Sequence, residues 1–385
     1  MYKKLLLGLI LFTLGAGFVY TQEPLYQPWW FTLETGIRHF RDGSYGQALM
    51  SFEAARRDRH SHFSLMEEDL IRFLSIAEVR WLGDNLDFVE WYIEEFNETR
   101  ANAILNEIYH FFPKESFNNS VDQVLIQLDN LKRYPEAEYW LGEIFRVEGE
   151  LSLAQRQYER ALRDRDLFTR PDLDMQILYQ IVNIHRTRGE YVEMEDRYNE
   201  IISTDSLWTS GNQNEPQTMM RAAMLRMLET SSSINVREVT GGINHFLSFY
   251  RHNNMSTERA HRELGLYLYS RGRYNTAVSH LMFAFLIQNT VLIEDAMRRE
   301  FDFIFTSLDD LMMMIGSRRE LLDFLEESEY FRVIYYFSSA LYATNRQFPA
   351  MQLWEFLAGS DRAGIWGERA RMSSVPIVES VIVLP

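Results

Sequence analysis

Histidine, carboxylate and arginine side chains are the groups of this chain best able to do chemistry, and their spacing limits which chemistry that is. His60-Ser61-His62, with Asp58 and Glu67 nearby, offers nitrogen and oxygen ligands. No HExxH pair or other metal-ligand spacing surrounds it, so the segment reads as a solvated loop between hairpins. His245, His252 and His261 are spaced for packing or surface roles. Glu67-Glu68, Glu94-Glu95, Asp309-Asp310 and Glu326-Glu327 contain the carboxyl groups a glycosidase needs. Adjacent residues on a helix point about 100° apart, so no pair is a dyad by itself. Arg156, Arg160 and Arg163 fall at i, i+4 and i+7 beside Glu159 and Asp164, a pattern that predicts ion pairs on an outer helix face. Met312 to Met314 reads as core filling. Cysteine is absent, which excludes disulfides, thiolate metal sites and a cysteine nucleophile, and no phosphate-cradling glycine pattern is present. The expectation is a chain without catalytic residues, a metal site or a cofactor.

What positions the polar groups is a repeat. GIRHFRDGSYGQALMSFEAA places Gly36, Gly43, Tyr45, Ala48, Phe52 and Ala55 at fixed offsets. The same offsets return as Gly142, Gly149, Leu151, Ala154, Tyr158 and Ala161, and again as Gly265, Gly272, Tyr274, Ala277, Leu281 and Ala284. A partial copy keeps Gly189, Tyr191, Met194, Tyr198 and Ile201 but has Val182 at the first glycine slot. The last three residues of each copy make one helical stripe, and the second Gly followed by a polar residue marks a stop, turn and restart. Each unit is therefore a helical hairpin, and stripes that neither helix can bury alone require the hairpins to stack. Turn markers at Gly43, Gly83, near Ser116, Gly149, Gly189, near Ser232, Gly272, Gly316 and Asn345 predict about nine hairpins between Trp29 and Leu357. Thr209 to Pro216 is the candidate flexible joint.

With Leu141, Gly142, Phe145, Ala154, Tyr158 and Ala161, the chain resembles the tetratricopeptide repeat, a helical hairpin of about 34 residues. The resemblance implies an all-α solenoid in which the first helix of each hairpin lines a concave groove. Carried onto this sequence, the partner-binding candidates are Tyr139, Trp140, Glu143 and Arg146; Tyr179, Asn183 and Arg186; and Arg259, Arg262, Leu266 and Tyr269. They mix rings, Arg and carboxamide, which suits a peptide. Chaperone-binding members of that family grip a terminal carboxylate with a Lys and Asn clamp. Here Asn183 matches, but Tyr179 stands in the Lys position. Glu115-Ser116-Phe117 resembles the opening of the lytic transglycosylase motif, and the Gly-Leu-Met-Gln segment that follows in that family is missing.

Charge and the N-terminus address partners and location. The 385 residues carry a net charge of -16 with only four lysines, which disfavours nucleic acid and anionic membrane surfaces as partners. Lys3 and Lys4 precede an uncharged apolar run from Leu5 to Tyr20, the layout of a signal peptide or N-terminal membrane anchor over residues 1–21. No later segment reads as a membrane span. The expected organisation is this leader, a solenoid over 29–358, and a C-terminal helix with an extended apolar tail over 359–385. The expected function is a non-catalytic protein-protein interaction scaffold, exported to the periplasm or anchored in the inner membrane facing it. The alternatives are an envelope glycan hydrolase on an α/α-hairpin scaffold and a self-associating, homo-oligomeric structural component.

Overall fold

The computed structural model describes residues 28–75, 85–96, 99–117, 119–205, 207–208, 219, 222–226, 228, 242–300 and 302–374. The leader, Gly83, Ser232, the 209–216 joint and residues 375–385 of the tail lie outside them. Among the described residues every regular element is a helix, and the fold is all-α and built of helical hairpins. Contacts divide it into two compact units, Met1–Ile177 and Leu178–Pro385. The first contains α1 (Trp29–Arg41), α2 (Tyr45–Leu74), α3 (Leu86–Phe96), α4 (Thr99–Phe111), a 3-10 turn (Lys114–Phe117), α5 (Val121–Leu131), α6 (Pro135–Val147) and α7 (Leu151–Arg163). The division falls within α8 (Leu173–Arg188). The second continues through α9 (Tyr191–Ile202), α10 (Ile243–Phe249), α11 (Met255–Ser270), α12 (Tyr274–Arg299) and α13 (Leu308–Ile315). It ends with α14 (Arg319–Glu327), α15 (Tyr330–Ala343), α16 (Gln347–Gly359) and α17 (Ile365–Ser374).

Five hairpins share one turn. Gly43, Gly149, Gly189, Gly272 and Asn345 all have positive φ, between 62° and 84°. The next residue donates its N–H to the carbonyl five positions back: Ser44 to His39, Glu150 to Phe145, Glu190 to His185, Arg273 to Leu268 and Arg346 to Leu341, at 2.8 to 3.0 Å. This left-handed closure satisfies carbonyls that the helix end would otherwise leave orphaned, and glycine or asparagine is the residue that adopts it without strain. Within the hairpin, register is set by a contact sixteen residues apart. A Cβ on Gly36 would lie 2.5 Å from the Phe52 ring, one on Gly142 2.6 Å from the Tyr158 ring, and one on Gly265 2.8 Å from Leu281. Ala48, Ala55, Ala154, Ala161, Ala277 and Ala284 are fully buried beside those large side chains. These three hairpins thus place a ring or Leu directly over helix backbone, a close approach of two helices. In α15 and α16 the same spacing puts buried Ser338 opposite buried Trp354, with Ala350 and Leu357 completing the stripe.

Two of the second helices, α2 and α12, are longer than a repeat of about 34 residues needs. α2 spans 30 residues, so His60, Ser61 and His62 lie inside a helix and not in a loop as the sequence suggested; His62 Nε2 sits 2.7 Å from Glu107. No breaker interrupts α2, and Phe52, Ala55, Arg59, Phe63 and Leu70 keep one continuous face buried. Arg59 is 1 % exposed. Its guanidinium lies 4.6 Å from the Tyr134 ring and 4.7 Å from Trp29, and its Nε donates to the Leu131 carbonyl. Burial lowers its pKa, and Glu136 and Tyr134 offset part of that. α12 is uncharged from Tyr274 to Ile293, which corrects the expectation that no later segment has the length of a span. By length and composition it could cross a membrane, yet 83 % of its apolar window is buried in the fold, as in a core helix. The outward ion pairs expected along α7 are also rearranged. Asp164 pairs with Arg133 at 2.6 Å, and Arg160 and Arg163 stand exposed without an ion partner among the described residues.

A buried histidine cluster ties α11 to α12. His261 is fully buried with Nδ1 3.2 Å from Nδ1 of His280, and its ring stacks on Phe283; His252 Nε2 lies 2.7 Å from Asp205. Burial, then the neighbouring His280 and His252, holds the His261 pKa far below its ordinary value, so the folded ring is neutral. The unfolded chain protonates it near that ordinary value. Stability from this group is therefore complete at neutral pH and falls as pH drops below about 6.5, by about 1.4 kcal/mol per pH unit. Urea unfolding between about pH 7 and pH 5 should show that slope, and His261→Gln should flatten it.

Candidate partner-binding surface

In the first unit the four sequence candidates on α6 pack into the hairpins. Trp140 stacks on Phe52 at 5.9 Å and meets Phe40 edge-on at 5.4 Å. Tyr139 is 8 % exposed and Glu143 5 %. The Glu143 carboxylate accepts from the Tyr158 hydroxyl and pairs with Arg146 Nη2 at 2.7 Å. Burial, then the Glu143 charge, raises the Tyr158 phenol far above its ordinary value and keeps it a donor. Tyr139 and Glu143 therefore do not face a groove: groups already buried and paired present nothing to a partner.

In the second unit the candidates converge. Glu263 on α11 accepts from Arg186 Nη2 and the Tyr198 hydroxyl, and from Arg259 Nε at 2.6 Å. Burial alone would raise its pKa; hydrogen bonds from Tyr198, Arg259 and Arg186 outweigh that and pull it down to about 2. Arg259 also lies 4.7 Å over the Tyr179 ring, whose hydroxyl donates to the Ser256 carbonyl. Arg262 is 9 % exposed between two carboxylates, with Nε 3.2 Å from Glu258 and Nη1 3.2 Å from Glu329. Glu329 in turn meets Arg332 Nη1 at 2.9 Å. Asn183 is half-buried on α8. Tyr269 packs against Tyr274 and Tyr336 at 5.2 and 5.0 Å, away from the Glu263 cluster.

These side chains bound two adjoining cavities. One of about 360 Å³ is lined by Arg186, Tyr191, Arg262, Glu263, Leu266 and Tyr267; a second of about 520 Å³ is lined by Phe331, Tyr336, Arg362, Ile365 and Trp366. Glu329 and Arg332 line both, so the two form one trough. Its walls are rings: Tyr191 stacks on Tyr267 at 5.6 Å, and Tyr336 lies 5.7 Å from Trp366. Of its polar groups, Arg186, Arg262 and Arg332 are paired with Glu263 and Glu329, and Arg362 donates to the Met312 and Gly316 carbonyls. Sequence reasoning found Arg186, Arg262 and Leu266 and missed Glu263, Glu329, Arg332, Tyr336 and Trp366. The signal for α15 was its turn at Asn345; counting sixteen residues back from Trp354 would have identified its inner face at Ser338.

No protein-family model matches the chain. It is 25 % identical over 341 residues to an uncharacterized protein of Treponema pallidum, spanning 89 % of this chain and 88 % of that one. An uncharacterized protein of Borreliella burgdorferi is 20 % identical over 256 residues, 64 % of this chain and 78 % of its own. Among solved structures, the crystal structure of the P58(IPK) TPR domain aligns with 93 % of this chain and 100 % of its own at 12 % identity, with a TM-score of 0.17.

Proposed function

We propose that this chain is a tetratricopeptide-like, non-catalytic interaction scaffold of the cell envelope, and that the second unit's trough holds an extended segment of a partner protein. The observation that carries this reading is the trough itself. Aromatic walls supply contact area at low entropic cost, and the partly exposed Arg186 and Arg332, held by Glu263 and Glu329, are preorganised to meet backbone carbonyls and side chains. Arg–Glu pairs of this kind position hydrogen-bonding groups without adding a net charge that only one ligand could match. The apolar N-terminal run behind Lys3 and Lys4 supports placement outside the cytoplasm.

Leu266→Asp combined with Ile365→Asp places a carboxylate in each cavity. Neither residue belongs to an ion pair, and Ile365 is 55 % exposed. The double variant is expected to keep the far-ultraviolet circular dichroism of the parent and to lose about tenfold or more in affinity for a crosslinked and purified envelope partner. Unchanged affinity would remove the trough from the interface.

A further inference from the structure

The first unit contains a second concave site of opposite character. A cavity of about 480 Å³ opens between the middle of α2, the connection from α5 to α6 and the last turn of α7. Six cations line it, Arg56, Arg57, Lys132, Arg133, Arg160 and Arg163, against two carboxylates, Glu138 and Asp164. In a chain with a net charge of -16 this is a local reversal of sign. Three of the cations are held by neighbours: Arg56 by Glu138 at 3.0 Å, Arg133 by Asp164 at 2.6 Å, and Lys132 by Glu67 at 2.6 Å. Arg57, Arg160 and Arg163 are exposed and have no hydrogen-bond or ion partner among the described residues. Nothing in the packing requires three unpaired guanidinium groups around one cavity, and like charges so placed repel.

We infer that this pocket binds an acidic polypeptide segment, a run of Asp and Glu side chains on a partner protein. The inference rests on the reading of the chain as an interaction scaffold and adds to it a charge-selected contact. Several features favour spaced carboxylates over one compact polyanion. The free arginines come from two helices, Arg57 from α2 and Arg160 and Arg163 from α7, so the positive charge is distributed. Of the helix ends that border the pocket, the C-terminal turn of α7 carries partial negative charge. In the first turn of α6, Pro135 has no N–H to donate and Glu136 and Glu138 already occupy the positive end, so neither is a free N–H cradle of the sort that grips phosphate. Glu138 and Asp164 would repel a polyphosphate, whereas a peptide threads its carboxylates past them and can offer them backbone N–H groups. Each guanidinium presents a planar fork that matches a carboxylate in two hydrogen bonds. Because the rest of the protein is acidic, an acidic segment is repelled elsewhere and focused here.

The test uses the full chain and a fluorescein-labelled hexa-aspartate peptide at low salt, followed by fluorescence anisotropy. Wild type should bind it, bind a hexa-asparagine control far less, and lose affinity as salt is raised. Arg57→Gln, Arg160→Gln and Arg163→Gln together should weaken binding about tenfold or more with the melting temperature unchanged, since the three are exposed and unpaired. The corresponding triple Lys variant should retain most of it. The Leu266→Asp and Ile365→Asp variant should bind hexa-aspartate as wild type does, so failure here and failure of the trough reading are separable. Equal binding by wild type and the Gln triple, or no binding by wild type, overturns the proposal. Binding of inorganic tripolyphosphate without binding of the peptide also overturns it, in favour of a phosphate ligand.

Discussion

Glu263→Gln is expected to destabilise the protein by about 2 to 3 kcal/mol, because it removes the largely buried charge on which Arg186, Arg259 and the Tyr198 hydroxyl converge. The same size follows from titration. A carboxyl held at about 2 against its ordinary value of 4.5 contributes about 3 kcal/mol to the folded state. The carboxylate is only 16 % exposed, but Arg186 and Arg259 are 46 % and 44 % exposed, and solvent screening of those two partners makes this figure an upper one. The sign is that of a depressed acid: the contribution is complete above about pH 4.5 and is lost as pH falls toward 2. Denaturant unfolding of wild type and variant at neutral pH should differ by this amount, and the difference should shrink on acidification through that window. A variant within about 0.5 kcal/mol of wild type would mean the three-donor cluster does not form.

Gly142→Ala is expected to cost about 2 to 3 kcal/mol. The added methyl would lie 2.6 and 2.7 Å from two carbons of the Tyr158 ring, which is fully buried and cannot move aside. Gly46→Ala, early in α2 with nothing within 4 Å, should instead stabilise by a few tenths to about 1 kcal/mol through helix propensity. The same chemical change then has opposite signs at two helical glycines, and packing alone distinguishes them. A neutral or stabilising Gly142→Ala would show that α6 and α7 do not pack through this contact.

The hairpins were legible because their information is local. The positive-φ turn, the residue after it and the small-to-large pair sixteen residues apart all lie within one repeat, and one sequence displays them several times over. What was not legible depends on residues far apart in the chain. The rings around Arg59 come from Trp29, Phe63, Phe111 and Tyr134, and nothing near residue 59 announces that an arginine there is buried. The length of α2 was missed because His60-Ser61-His62 looks polar, while the continuing stripe of Ala55, Arg59 and Phe63 was broken in appearance by its arginine. In the trough, Arg186, Arg262 and Leu266 follow from their place on first helices. Their partners Glu329 and Arg332 sit sixty or more residues onward, on a helix whose inner slot holds Ser338 where a glycine would have marked the register. The basic pocket gathers charges from α2, the α5 to α6 connection and α7, each of which reads alone as an ordinary solvated face.

The central claim, that the trough of the second unit is where a partner lies, is tested most directly by site-specific photocrosslinking in cells. A photoreactive residue is placed at Leu266, at Ile365 or, as a control, at Met297, which is 54 % exposed on α12 and lines neither cavity. The account predicts one discrete adduct from both trough positions, containing the same partner polypeptide, and none from Met297. No adduct from Leu266 and Ile365, or the same adduct from Met297, would contradict it.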